Sequence, residues 1–124
     1  MTDHVSVNDA PQELADAIRE FFPPEEWDNA AGIAMLESGW NWAAEADTTR
    51  GGSVPCGTLI ATRGGVAITA EHSIGYFQIN ACNYPTWNWA HFFNVRQNVG
   101  TAHALWVERG WSPWYFSAQT LGLL

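Results

Sequence analysis

The chain has 124 residues and a mass of 13.7 kDa, with 47% hydrophobic and 15% charged residues. That length suits one domain, spanning 1–124, with a single core, and that balance excludes a disordered chain. No apolar run approaches the roughly 20 residues of a membrane span, so no membrane insertion is expected. The net charge of −8 hides an asymmetry. Residues 1–47 carry eleven of the 13 acids against Arg19 alone, while residues 48–124 carry four Arg against Glu71 and Glu108, and Lys is absent. A nucleic-acid partner needs a basic face, which this composition lacks. The acidic first part instead keeps an aromatic-rich protein soluble.

Residues 1–10 are polar and expected to fray. Pro11 to Phe22 reads as a helix, because Leu14, Ala17, Ile18, Phe21 and Phe22 recur at helical spacing, with Asp16 and Glu20 opposite. Asn8 or Asp9 is available to cap it, and Pro23-Pro24 ends it. A second helix starts at Pro24, places Glu25 and Glu26 at the positive end of its dipole, and stops near Gly39. Residues 43–57 read as a loop. Thr58 to Thr69 reads as two strands, TLIAT and VAIT, around an RGG turn. An extended piece from Ser73 to Asn80 completes a small antiparallel sheet. Residues 83–93 form an aromatic connector, Asn98 to Arg109 a third helix ended by Gly110, and Trp111 to Trp114 start a short final element. The layout is α+β, with helices and strands segregated and a groove expected at their junction.

Glu37 carries the sharpest chemical signal. It closes the second helix and shares a face with Ala30, Ile33 and Ala34 rather than with a cation. Desolvation and the negative end of the helix dipole both disfavour its charged form. A raised pKa is what a general acid working near neutral pH requires. Taken alone, such a residue reads more readily as a surface Glu at a helix end, and it is the second run that changes this. The run Ser73-Ile74-Gly75-Tyr76-Phe77-Gln78-Ile79-Asn80 places Gln78 and Asn80 on one face of an extended strand. Fixed amides there suit the hydroxyls and N-acetyl groups of a sugar, and Gly75 allows close approach. Seventeen aromatics, eight of them Trp, exceed what a core absorbs. Trp106 is expected in the core, and at least one of Trp40, Trp87 and Trp89 in a sugar groove, since pyranose faces are apolar. His4, His72, His91 and His103 lack metal spacing and read as surface or packing residues. Cys56 and Cys82 form either one disulfide or two buried thiols.

Four runs in order resemble the lysozyme-like superfamily of chicken-type lysozymes, soluble lytic transglycosylases and phage lysozyme-like domains. Glu37-Ser38-Gly39-Trp40-Asn41 is similar to its catalytic helix end, and Gly75-Tyr76-Phe77-Gln78-Ile79-Asn80 to its Gly-aliphatic-aliphatic-Gln-Ile-Asn strand. Asn98-Val99-Gly100-Thr101-Ala102 is similar to its Asn-Ile-x-x-Gly/Ala helix, and Gly110-Trp111-Ser112-Pro113-Trp114 to the Gly-Trp-x-x-Trp segment that follows. The resemblance spans about residues 24–115. It implies a mainly helical lysozyme-like fold with a small sheet and a substrate groove between them. It also implies cleavage of the β-1,4 bond between N-acetylmuramic acid and N-acetylglucosamine in peptidoglycan, with Glu37 as the acid and no cofactor or metal.

Two departures bear on mechanism. Ser73 stands where the family's hydrolases place an Asp, and the Tyr-Asn-Ala-Gly motif of the transglycosylases is missing. Glu71, two residues before Ser73 and about 7 Å away on a regular strand, is the candidate second carboxylate, with Glu45 and Asp47 as further acids nearby. Ser73 and Gln78 are expected to position Glu37 or the substrate's acetamido group. Asn80, Tyr76, Trp40, Trp87 and Trp114 are expected to contact the glycan strand. The chain is expected to act as a monomer or as a module of a larger protein. MTDHVSVNDAPQEL has no signal-peptide pattern, and no wall-binding repeat precedes Leu124. These features fit a phage-encoded or secreted domain that works at the bacterial cell wall. The alternatives are a non-catalytic glycan-binding module and a structural virion domain that keeps the fold.

Overall fold

A computed structural model describes residues 5–124, so His4 lies outside the described residues. The architecture is α+β: four helices and small antiparallel sheets. Helix α1 spans Gln12–Phe21, and its buried stripe is Leu14, Ala15, Ala17 and Ile18. Each fully buried large aliphatic or aromatic side chain contributes about 1.5–3 kcal/mol, and Leu14, Ile18, Ile33, Phe77 and Phe92 all reach zero exposure. Phe22 ends the helix in an extended conformation, because the following proline ring crowds the α region of the residue before it. No side chain caps the start of α1; Pro11 holds the N-cap position. Asn8 and Asp9 belong instead to a 3₁₀ turn, Val7–Asp9, capped by Ser6. Residues 5–10 are not frayed: Val7 is buried and its N–H donates to Asp28 Oδ1 at 2.9 Å.

Helix α2, Trp27–Ser38, follows a 3₁₀ turn over Pro24–Glu26. Its centre, Ala30 to Ala34, is buried on every side. Gly32 lets Leu121 approach, since a Cβ there would meet a Leu121 methyl at 3.0 Å. Gly39 closes the helix with φ +64, donating its N–H to Met35 O, the left-handed cap that glycine adopts at no steric cost. Helix α3, Val95–Arg109, begins three residues before the sequence pattern indicates, because Asn94 caps it by accepting from Gln97 N. A 3₁₀ turn, Ser112–Trp114, leads into α4, Tyr115–Thr120.

The strands differ most from expectation. Strands β2, Leu59–Arg63, and β3, Val66–Thr69, form the expected hairpin, with Gly64 and Gly65 both at positive φ as a two-residue turn requires. They do not share a sheet with the following segment. The second sheet has the order β1-β4-β5, where β1 is Glu45–Asp47, β4 is His72–Ile74 and β5 is Ile79–Asn80. Part of the stretch read as loop is therefore an edge strand, and the single strand expected over 73–80 is a hairpin. The reversal is held by Asn98. Its Oδ1 accepts from Phe77 N at 2.9 Å, and its Nδ2 donates to Ile74 O and Phe92 O at 2.8 Å each. Gly75, at φ +75, fits beneath it; a Cβ there would lie 2.4 Å from Asn98 Nδ2 and 2.6 Å from Phe92 O. Cys56 and Cys82 form a disulfide with a Cα separation of 5.8 Å, tying the loop before β2 to the 3₁₀ turn Ala81–Asn83. No helix among the described residues is long and apolar enough to cross a membrane.

Candidate active site

A cavity of about 400 Å³ lies between strand β3, the β4–β5 hairpin and the start of α4. Glu37, Glu71, Ser73, Gln78, Asn80 and Trp114 all line it, so the fold brings six of the nine expected site residues together. Helix α2 delivers Glu37 at its penultimate position, with the buried Ala30, Ile33 and Ala34 behind it. Burial pushes the Glu37 carboxyl above its ordinary value, and the nearby Glu71 adds to the rise. Ser117 opposes both by donating its hydroxyl to Glu37 Oε2, which favours the charged form. Glu71 sits one residue before β4. Burial raises its pKa too, with a hydrogen bond from Ser73 acting the other way. The cavity therefore holds two carboxyls whose burial disfavours ionisation, and Glu37 also accepts a hydrogen bond from Ser117.

Gln78 and Asn80 are in the cavity but not as two amides on one strand. Gln78 lies in the turn at φ +49 and donates Nε2 to Gly75 O and Ala44 O. Asn80 caps the next turn, its Oδ1 accepting from His72 N and Cys82 N. Both amides thus brace the wall that carries Ser73. Trp114 is nearly buried, donates Nε1 to Phe77 O at 2.8 Å and forms part of the cavity floor.

Three expected contacts lie elsewhere. Tyr76 is buried and donates its hydroxyl to Glu13 Oε1 at 2.6 Å, because the hairpin reversal turns it into the core. Trp40 packs against the core and donates Nε1 to Ala31 O. Trp87 lines a different cavity, together with Trp89. Trp106, expected in the core, is partly buried and packs against it. His72 pairs with Glu45, His103 meets the ring of Phe22 edge-on, and His91 is exposed. Among the described residues, no group of three or more His, Cys, Asp or Glu is placed to hold a metal ion.

Two features of the cavity were not legible in the sequence. Ser117 is 80 residues from Glu37, in a segment with no periodic signal. The β2–β3 hairpin leans on α4, with the Arg63 guanidinium 4.4 Å from the centre of the Phe116 ring. That contact fits a cation–π interaction and makes the hairpin a wall of the cavity. The arrangement places one carboxyl whose pKa is raised by burial beside a second acid, in one cavity. No family model, curated protein or solved structure matches the chain.

Proposed function

We propose that the chain cleaves the β-1,4 bond between N-acetylmuramic acid and N-acetylglucosamine in bacterial peptidoglycan, on a lysozyme-like fold. The observation that carries this reading is Glu37: a carboxyl raised by burial, at a helix end, inside a cleft that also holds Glu71 and Ser73. A module that only binds sugar has no reason to place a carboxyl at an apolar helix end beside a second acid. A protonated Glu37 donates to the glycosidic oxygen as the bond breaks, and positive charge develops at the anomeric carbon. In a transglycosylase, the substrate's acetamido group meets that charge and the 6-hydroxyl closes an anhydro ring. Glu37, now a carboxylate, takes up the hydroxyl proton. In a hydrolase, Glu71 activates water instead.

We favour the transglycosylase. Ser73 stands where the hydrolases of the resembled family carry Asp, and the Asn98 to Ala102 run is closer to the transglycosylase pattern. The test is mass spectrometry of digested peptidoglycan with wild type and Glu71→Gln. Anhydro-ended muropeptides, lighter than the hydrolytic product by one water, with little loss in Glu71→Gln, support the transglycosylase. Reducing ends throughout, with a large loss in Glu71→Gln, assign hydrolysis with Glu71 as second carboxylate. No release by the wild-type protein leaves the glycan-binding or structural virion alternatives.

A further inference from the structure

The three-stranded sheet separates two cavities. Ser73 and Asn80, paired across β4 and β5, face the one that holds Glu37. Asp47 and His72, paired across β1 and β4, face a second cavity of about 430 Å³ on the other side of the sheet. Strand alternation enforces this division, since neighbouring residues point to opposite faces. Tyr84, Trp87 and Trp89 supply the rings of the second cavity, Glu45 adds a carboxylate, and the Cys56–Cys82 disulfide forms part of its wall.

The aromatic rings are fixed from behind. Trp87 stacks on Phe92 with an interplanar angle of 8°, and Tyr84 leans on Trp87 with centroids 5.6 Å apart. Trp89 lies 5.0 Å from the His72 ring and meets Phe93 near edge-on. Even so, Trp87 and Trp89 keep 48% and 44% exposure. Rings that served only to pack the connector would be covered. These present rigid, half-open faces to a cavity, and a rigid aromatic platform gives contact area at low entropic cost.

The acids set the ligand's charge. Asp47 is committed to the backbone: it accepts from Thr49 N, Thr49 Oγ1 and Gly51 N, and this holds its carboxyl below its ordinary value. Glu45 is held by His72. Neither carboxylate is left as the main partner for a cation. What remains is aromatic faces with a bonded carboxylate and imidazole at the rim, which suits a neutral polyhydroxyl ring.

We propose that this second cavity is a non-catalytic carbohydrate site that stacks a pyranose ring on Trp87 and Trp89, with Glu45 and His72 taking its hydroxyls. Its ligand class, an N-acetylglucosamine-containing glycan, rests on the proposed function. It would hold a wall strand on the face opposite the cleft.

The test follows the indole N–H signals of ¹⁵N-labelled Glu37→Gln protein by nuclear magnetic resonance during titration with N-acetylglucosamine oligomers. Trp87→Phe and Trp89→Phe serve to assign the signals. Saturable shifts of the Trp87 and Trp89 signals support the site, as does loss of at least about 10-fold in retention on purified cell walls in Trp87→Ala. Cleavage of soluble oligomers by Trp87→Ala should stay within about 2-fold of wild type. If both signals stay fixed while that of Trp114 moves, or if none moves, the second site is refuted. Wall digestion by the wild-type protein is scored separately, so failure of this site leaves the proposed reaction standing, and the reverse.

Discussion

Replacing Asn98 tests the link between fold and cleft. Its side chain is 1% exposed and makes three hydrogen bonds to backbone groups of three different residues. Asn98→Ala leaves the Phe77 N–H without this partner and takes a donor from Ile74 O and Phe92 O. A buried polar group stripped of its partner costs about 1–3 kcal/mol. With the orphaned N–H dominant and the two carbonyls partly relieved by relaxation, the loss is about 3–5 kcal/mol. Against a domain stability of about 5–15 kcal/mol, that is severe. Asn98→Leu fills the space without restoring any bond, so it separates hydrogen bonding from packing. Urea unfolding should give both variants a midpoint shifted by this amount at unchanged slope. A loss below about 1 kcal/mol in both, or recovery in Asn98→Leu, would refute the view that these bonds hold the β4–β5 reversal.

Other outcomes follow from the same geometry. Ser117→Ala removes the hydrogen bond that lowers the Glu37 pKa; a general acid acts while protonated, so the alkaline limb of the activity profile should move to higher pH. Glu71→Gln removes a charge that raises the Glu37 pKa, so the same limb should move to lower pH; shifts in the same direction for both variants would contradict the assignment. Gly75→Ala forces a Cβ against Asn98 and Phe92 O and should yield little folded protein, whereas an alanine at Gly64, where a Cβ meets nothing within 4 Å, should cost only backbone strain. Reduction of Cys56–Cys82 should lower the melting temperature, as the chain-entropy model puts such a loop at about 3 kcal/mol, and raise the mass by two hydrogens.

What the sequence made legible was periodic or local. Leu14, Ala17 and Ile18 announced α1, Gly64-Gly65 announced the hairpin, and Gly39 announced the end of α2. Glu37 was legible as an acid on an apolar face because the helical repeat alone puts Ala30, Ile33 and Ala34 beside it. The rest was set by long-range partners. Tyr76 reads as half of an alternating strand, but Asn98 pulls the chain into a reversal there and sends Tyr76 into the core. Strand β1 has no strand-like pattern of its own and exists because β4 pairs with it, with Asp47 opposite His72. Ser117 and Phe116 reach the cleft only because α4 packs against α2 and the β2–β3 hairpin folds over it.

The most direct measurement is release of soluble muropeptides from purified peptidoglycan by wild type and Glu37→Gln, matched for folding by their unfolding midpoints. Gln keeps the size of Glu37 and a partner for Ser117 but has no proton to deliver. One positioned general acid is worth about 10²–10⁴-fold, and the release rate should fall by that factor. Wild-type rates in Glu37→Gln would contradict Glu37 as the acid.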